Sequence, residues 1–538
     1  MPDDGTHPGK TDASAGTLLV AALTSIGFIA RALPLLNVGG RLLRQFPTED
    51  GYLMLQIARN MALGHGMSVA AGTMPTNGTQ PLTTFVWSLA FRLVDADRVA
   101  GVRAVLVLEL CIAVLTALLL LRVARRLLPD TPRAQALAPL AAAAHFASPL
   151  AVMHSMNTLE SGAYAAAVLA TVAVLLREAQ PPGRWSAVAC LRVGMILGGC
   201  FWVRNDAVFL IAGVCLAHVW VARRDRASRV RAFIEAVGIG GTTLLIAAPW
   251  LYFNLTAFGH LVPVSGIAES QAAAFGSNAY LVPTKLFEYV VLFAPIPERW
   301  ESSPVIWLFT ASALVTGIVL ARRRRSASPP SAAVLALVLY AALLCGFYGL
   351  VFGTPHFVGR HLFPLSTFAA LLGTTAVAAA LERTPSRVVA SRAGAVLAVL
   401  AAATLNARQY ARGTEHPHFQ VIAWVERHVP ASSWVGAIQS GTLGFFHDRT
   451  INLDGKVNPD ALDAVLRRDL ARYIVDQDID YIVDWVGAAS VVDVPPLRGR
   501  FEVVELDRAR NLGALRRIGA PSRAPDTPEP EAVRQLIE

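Results

Sequence analysis

Two adjacent acids, Glu49 and Asp50, follow the first apolar segment and open a polar stretch that continues to residue 81. Neighbouring carboxylates repel each other, so a site that keeps both is expected to give them a partner, such as a substrate hydroxyl or a cation. A carboxylate placed beside a hydroxyl can act as a general base, which accelerates a reaction by about 10²–10⁴-fold. We therefore predict that Asp50 and Glu49 are catalytic. The sequence specifies no cofactor, but these two acids are the residues that would hold a divalent cation.

A structural alternative exists for the same acids. Asp50 is well placed to cap a helix over residues 51–63, and Gly64 is well placed to end that helix. A cap needs only one acid, so capping accounts for Asp50 without accounting for the pair. Both interpretations stay open at this point.

A cationic group stands later in the chain. His356, Arg360 and His361 lie close together, directly before an apolar segment. Guanidinium and imidazolium groups bind phosphate oxygens through charge-assisted hydrogen bonds. We predict that these residues, together with Arg204, hold a phosphate or diphosphate leaving group. The alternatives are contact with lipid headgroups and a role as a topological anchor.

Charged residues also lie between or beside apolar segments. Arg204 and Asp206 connect two of them, and a charge at the bilayer centre costs ~2.5–3.5 kcal/mol or more, so such residues face a partner or a cavity. An Arg204–Asp206 ion pair and contact with substrate are the alternatives. Asn157 and Glu160 have the spacing of a capping box for a helix over 160–176, and a role for Glu160 in a pocket is the other interpretation.

Several further polar residues fall in turn-like sequences on what we predict to be the same side of the membrane. Hydroxyl-rich ligands need many directional hydrogen-bond partners, so these residues are candidates for binding substrate, although ordinary turns would also explain them. The predicted substrate-binding residues are Asn77, Gln80, Glu160, Asp206, His260, Ser265, Asp454 and Lys456.

The composition is that of a membrane protein. Of 538 residues, 54% are hydrophobic and only 16% are charged, whereas soluble domains carry about 25% charged residues. The net charge of +9 comes largely from arginines between apolar segments, where they set topology. No nucleic-acid partner is therefore predicted.

Eleven apolar segments are long enough to span a bilayer, which takes about 17–25 residues in a helix. Arginine clusters fall on alternate connections, and cytoplasmic loops are the ones enriched in arginine. This alternation requires that residues 81–94 do not cross but lie in the outer interface. The predicted spans are 17–36, 104–121, 134–153, 160–176, 187–203, 206–222, 232–253, 304–321, 331–353, 361–380 and 393–407.

The chain after about residue 408 has the composition of a small α/β domain. A helix is predicted over 418–429 and helical structure over 459–477; the predicted strands are 434–438, 450–453, 480–485 and 501–506. The predicted organisation is a disordered cytoplasmic N-terminus (1–16), a membrane domain (17–407) with a first outer loop (37–103), an exported domain (408–518) and a flexible tail (519–538). The fold class is thus mainly α, polytopic, with a small C-terminal α/β domain.

The first outer loop resembles that of the polytopic GT-C glycosyltransferases. It opens with adjacent acids, continues as Leu55-Gln-Ile-Ala-Arg-Asn-Met-Ala-x-Gly-His-Gly66, and closes as Thr76-Asn-Gly-x-Gln-Pro-Leu82. Within that family it resembles the bacterial members related to the arabinofuranosyltransferases and to other enzymes that use polyprenyl-phosphate sugars. The chain lacks GxGxxG, GxxxxGK[ST], HExxH and GxSxG motifs, so nucleotide-driven transport, zinc hydrolysis and serine-hydrolase chemistry are without support.

The resemblance implies an inverting transfer of a sugar from a lipid-linked donor at the outer face of a bacterial plasma membrane. Asp50 would deprotonate an acceptor hydroxyl, on a glycan, a glycolipid or a protein, while Glu49 orients it or assists a metal. Arg360, with His356 or His361, would stabilise the leaving phosphate. This chain has Glu rather than Asp as the first acid, which leaves open which of the two is the base. It also lacks a tryptophan-rich acceptor motif, which disfavours protein N-glycosylation.

Two other functions fit a polytopic chain with an exported domain. A transporter or flippase of lipid-linked glycans would show matching broken helices in two halves and acids near mid-bilayer. A non-catalytic envelope scaffold would point Glu49 and Asp50 into lipid or bulk water.

Overall fold

The computed structural model describes residues 8–70, 73–178, 180–222, 226–293, 300, 303–308, 329–382, 387–413 and 418–523. Its N-terminal helices are α1 (Pro8–Ala32), α2 (Arg41–Arg44), α3 (Glu49–Ala62), α4 (Pro81–Arg92), α5 (Arg98–Leu127), α6 (Pro132–Ala147), α7 (Pro149–Ser155), α8 (Ser161–Leu175), α9 (Ala187–Val203) and α10 (Ala207–Val221). There follow α11 (Arg226–Phe258), α12 (Val264–Ser270), α13 (Leu281–Val291), α14 (Pro329–Leu350), α15 (Val358–Leu362), α16 (Ser366–Glu382) and α17 (Arg387–Arg412). The mainly α fold class is confirmed.

Helices occupy ten of the eleven predicted spans. Six helical stretches are long and apolar enough to cross a membrane, or seven if α6 and α7, bent by 65°, count as one. The helices α8, α9 and α10 are apolar but shorter. The predicted span 304–321 lies largely outside the described residues. Helix α4 has 12 residues, too few to cross a bilayer, which agrees with the prediction that this segment does not span.

The N-terminus of α3 differs from the predicted cap. The helix begins at Glu49, and the Thr48 side chain accepts the hydrogen bond from the Gly51 amide. The prediction that Asp50 caps a helix over 51–63 is therefore wrong, because a threonine two residues earlier supplies the cap oxygen. Asp50 lies in the first helical turn instead, where its side chain is free to point outward from the helix.

The predicted capping box before α8 is also absent. The helix begins at Ser161, and the Asn157 side chain accepts from the Leu159 amide rather than capping the helix. Thr158 adopts a φ of 60°, so the chain turns sharply here. This turn packs against the start of α3, where a Cβ on Gly51 would clash with the Thr158 hydroxyl. Glycine beside Asp50 therefore lets two polar segments approach closely.

The C-terminal domain contains a five-stranded sheet in the order β2-β1-β3-β5-β4. The strands are β1 (Val435–Ala437), β2 (Thr450–Asn452), β3 (Tyr481–Asp484), β4 (Phe501–Asp507) and β5 (Leu512–Arg517), and the helices are α18 (Phe419–His428), α19 (Ser440–Phe446), α20 (Pro459–Leu466) and α21 (Leu470–Asp476). The first three strands pair in parallel and the last two antiparallel. The four predicted strands are present. The sequence reading missed β5 and α19, and the helical region 459–477 is two helices.

The C-terminal domain packs directly on the first outer loop. Tyr52 of α3 and Phe445 of α19 belong to one buried cluster, with ring centroids 5.2 Å apart. Asp448 accepts from Arg59 at 2.9 Å and from Arg98 at 2.8 Å, which ties the domain to α3 and α5. These contacts hold the C-terminal domain against α3 and the start of α5.

Candidate active site

A cavity of about 530 Å³ lies where the first outer loop, the membrane helices and the C-terminal domain meet. Apolar side chains from α3, α10 and α14 form much of its wall. Its polar lining comes from eight separate parts of the chain. The polar lining residues are Asp50, Thr79, Gln80, Glu160, Arg204, Asn205, Asp206, Ser265, Glu269, Tyr348, Arg360, His361 and Lys456.

Asp50 and Arg360 form an ion pair in this cavity. Arg360 Nη1 donates to Asp50 Oδ2 at 2.6 Å, and the side chains of Arg360 and Asp50 are 19% and 25% exposed. Burial alone would raise the pKa of the Asp50 carboxyl, but Arg360 and Lys456 outweigh it and hold that pKa below its ordinary value. Asp50 is therefore an ionised carboxylate that is open to the cavity and bound by one cation.

Lys456 is brought to the same place by the C-terminal domain. Its Nζ lies 3.0 Å from Glu269 and 3.8 Å from Asp454. Burial would lower the pKa of Lys456, but the carboxylates of Asp50, Asp454 and Glu269 raise it above its ordinary value. A Cβ on Gly78 would clash with the Lys456 carbonyl oxygen, so the Asn-Gly turn of the first loop is fitted to this segment.

Arg360 and Lys456 share one aromatic ring. The Arg360 guanidinium lies 4.3 Å from the Phe357 ring centroid, and Lys456 Nζ lies 5.2 Å from it. Cations within about 6 Å of a ring are attracted to its face. Phe357 therefore holds two positive charges at one end of the cavity. Sequence reasoning identified both cations but missed Phe357 and Glu269.

Arg204 is held differently from Arg360. Its Nε lies 3.2 Å from Asp206 and 3.5 Å from Glu160, and the side chain is only 2% exposed. It also contacts His361 Nδ1. The predicted Arg204–Asp206 ion pair is thus present, and both of its members also line the cavity. The two alternatives considered from the sequence are compatible.

His361 and Tyr348 complete this second cluster. The two rings stack with centroids 4.1 Å apart, and the Tyr348 hydroxyl donates to Asp206 at 2.9 Å. Three polar atoms here, Arg204 Nη1, Asn205 Oδ1 and Asp206 Oδ1, are buried without a hydrogen-bond partner in the described structure. Buried polar atoms are costly to leave unpaired, so they are suited to meet a polar ligand.

Glu49 does not face the cavity. Its carboxylate accepts from the Gly441 amide, from the Thr442 amide at 3.0 Å and from the Thr442 hydroxyl, all at the start of α19. Burial raises the pKa of this carboxyl to about 7, although the bonds from Thr442 and Gly441 oppose the rise. The two adjacent acids therefore separate, with Glu49 contacting the C-terminal domain and Asp50 facing the cavity.

This separation leaves the predicted cation site without its two ligands side by side. Asp50 is engaged by Arg360, and Glu49 by backbone and hydroxyl donors. In the described part of the chain, no three His, Cys, Asp or Glu side chains gather as metal ligands would. The residues present do not fit a divalent cation bound between Glu49 and Asp50.

The remaining predicted residues divide into two groups. Gln80 and Ser265 line the cavity, and Gln80 also accepts from the Asn205 amide at 3.2 Å. Asn77 is buried. Its Nδ2 donates to Asn254 Oδ1 at 3.1 Å, and its Oδ1 accepts from the Val264 amide at 3.0 Å, so it supports the start of α12.

Three further residues lie outside the lining. Asp454 stands beside Lys456. His260 and His356 are exposed, and each is next in the chain to a residue that lines the cavity, Leu261 and Phe357.

Comparison with known proteins adds three observations. Residues 403–519 match a family described as "Domain of unknown function (DUF8728)". No curated protein matches the chain. Several solved structures match over most of its length.

ArnT from Cupriavidus metallidurans in the apo state superimposes with a TM-score of 0.59 and 14% identity, covering 97% of this chain and 100% of that one. The same protein bound to undecaprenyl phosphate gives 0.57 and 14%, with 94% and 98% covered. The oligosaccharyltransferase AglB from Archaeoglobus fulgidus, in complex with an inhibitory peptide and a dolichol-phosphate, gives 0.54 and 11%, with 92% and 73% covered. At such identities the likeness establishes the fold alone, and this chain shares the fold of ArnT and AglB.

Proposed function

We propose that this protein is a membrane glycosyltransferase that moves a sugar from a polyprenyl-phosphate donor to an acceptor hydroxyl. The observation that carries the proposal is the cavity in which one ionised carboxylate, Asp50, lies beside two cations, Arg360 and Lys456. Such a reaction requires a base and a phosphate-binding group in the same cavity. The shared fold with ArnT and AglB, which were solved with polyprenyl phosphates bound, supports the choice of donor.

The reaction requires one base and one anchor for the leaving group. Asp50 accepts the proton of the acceptor hydroxyl as the acceptor oxygen attacks the anomeric carbon. The bond between that carbon and the phosphate oxygen breaks, and polyprenyl phosphate leaves with the bonding electrons. Attack opposite the leaving group inverts the anomeric centre. Arg360 and Lys456 stabilise the negative charge that develops on the phosphate.

The two arginines of the cavity differ in a way that supports an assignment of the donor's sugar and phosphate ends. Arg204 is only 2% exposed and already faces two carboxylates, Glu160 and Asp206. Arg360 is 19% exposed and has one carboxylate partner in the described structure, so it is the better phosphate site. Carboxylate and amide oxygens are good acceptors for sugar hydroxyls. We therefore assign the sugar to the cluster around Arg204, with Gln80 and Asn205, and the phosphate to Arg360 and Lys456.

The apolar wall and the membrane helices place the donor and the protein. Phe201, Phe209 and Leu251 line the cavity between helices, where the first isoprene units would lie. The proposal places the protein in a bacterial plasma membrane, with the cavity and the C-terminal domain on the outer side. The arginine-rich connections on the opposite side support that orientation.

The test is a transfer assay in proteoliposomes. Polyprenyl-phosphate donors carrying a pentose or a hexose are supplied with membrane glycan extract, and release of polyprenyl phosphate is measured. Asp50→Asn should lower the turnover by at least about 10²-fold, while Asp448→Asn, outside the cavity, should retain it. Near-native turnover in Asp50→Asn, or no release with any donor, would contradict the proposal.

A further inference from the structure

The two groups that the proposed reaction needs to be separate are bound to each other in this structure. Arg360 Nη1 donates to Asp50 Oδ2 at 2.6 Å. A carboxylate that accepts a short charge-assisted hydrogen bond is a weakened base, and a guanidinium already paired with a carboxylate is a weakened phosphate anchor. A donor phosphate and Asp50 thus compete for the same cation.

We propose that the donor phosphate displaces Asp50 from Arg360, so that donor binding itself releases the catalytic base. This inference rests on the proposed function and adds to it an order of events. The acceptor hydroxyl would meet a free carboxylate only after the phosphate has taken the guanidinium. Without a donor, the base stays masked.

Arg360 is the cation best suited to such an exchange. Arg204 is almost fully buried and faces two carboxylates, and Lys456 is held by Glu269 and Asp454. In the described structure Arg360 has a single carboxylate partner, and its Nε is buried without a hydrogen-bond partner. Arg360 therefore has one carboxylate to exchange and one N–H without a partner in the described structure.

The exchange would also make the Asp50 carboxylate a stronger base. Arg360, Lys456 and His356 lower its pKa in the ligand-free cavity. Losing the hydrogen bond to Arg360 and gaining a phosphate anion nearby would both raise that pKa, which strengthens the base. The charged groups around Asp50 are Arg360, Lys456, His356, Glu49 and Asp454.

The experiment measures binding of polyprenyl phosphate alone to the full chain in nanodiscs. Removing the competing carboxylate should tighten binding, so Asp50→Asn is expected to lower the Kd by about threefold to tenfold, even though it abolishes transfer. Asp50→Ser provides a second variant if a buried amide opposite Arg360 impairs folding. Asp448→Asn removes a carboxylate that also contacts α3, through Arg59, and should leave the Kd unchanged.

Two results would overturn the exchange. An unchanged or higher Kd in both Asp50 variants would mean that Asp50 and the phosphate do not compete, while transfer activity in the wild type would still support the proposed function. Absence of polyprenyl-phosphate binding by the wild-type chain would overturn both the exchange and the proposed function.

Discussion

The two arginines of the cavity have the same charge but opposite environments. Arg204 is 2% exposed between Glu160 and Asp206, and it closes a network with His361 and Tyr348. Arg360 is 19% exposed and has one carboxylate partner in the described structure, on an element that lies 310 residues away in the chain. A buried arginine whose charge is fully compensated holds a structure together. An arginine with one exchangeable partner is suited to bind a ligand.

The largest expected effect is on stability and comes from Arg204. Arg204→Gln leaves Glu160 and Asp206 buried without their cation, and breaking a buried pair in this way costs about 3–5 kcal/mol. Thermal unfolding in detergent measures it, with Arg360→Gln as the matched control. If both variants lost the same stability, the difference between the two arginines would be refuted.

The next effect is on catalysis and comes from Arg360. Arg360→Gln should lower the turnover by about 10²-fold, because a donor aimed at the leaving phosphate is removed, with little change in the unfolding temperature. Arg360→Lys keeps the charge but loses the planar fork, so it should fall between the wild type and Arg360→Gln. Transfer rates at saturating donor measure both. Wild-type rates in Arg360→Gln would contradict the assignment of the leaving phosphate to Arg360.

Glu49 gives a smaller effect that depends on pH and involves neither arginine. Its pKa is raised from the ordinary 4.5 to about 7 in the folded protein. Between these two pH values Glu49 is protonated in the folded state and ionised in the unfolded state. Its contribution to stability is therefore present below about pH 4.5 and is lost as the pH rises towards 7.

Unfolding curves between pH 5 and pH 8 test this sign. The wild type should lose more stability over that range than Glu49→Gln, whose side chain does not titrate. Equal slopes for the two proteins would show that Glu49 does not carry the pH dependence.

The smallest expected effect concerns the ion pairs outside the cavity. Asp448 is 48% exposed, so its bonds to Arg59 and Arg98 are screened by water, and Asp448→Asn should cost no more than about 1 kcal/mol. Unfolding and transfer measurements on the same preparation check this. A loss of transfer larger than the loss of stability would mean that docking of the C-terminal domain controls the cavity.

The sequence predicted the charged residues better than it predicted their partners. Asp50 stood out as one of two adjacent acids, and Arg360 as one of three clustered potential cations. Nothing local shows that the two pair across 310 residues. Glu269 carries no signal at all, since its role depends on Lys456 arriving from another domain. Glu49 and Asp50 were predicted to act together, and they separate because adjacent residues on a helix point about 100° apart.

The same limit applies to the fold. The length of the apolar segments predicted eleven spans, and ten of them are helices in the described structure. A segment that crosses a membrane has to satisfy its backbone hydrogen bonds internally, which a helix does. Short elements were harder. The helix Ser440–Phe446 has small residues at its start because Gly441 packs against Glu49, a reason that exists only in the folded chain.

A structure of the full chain in nanodiscs with polyprenyl phosphate bound tests the account most directly. We expect the phosphate within hydrogen-bond distance of Arg360 and Lys456, the Asp50 carboxylate released from Arg360, and the Arg204–Asp206 pair unchanged. A phosphate bound at Arg204, with the Asp50–Arg360 pair still at its present 2.6 Å, would contradict it.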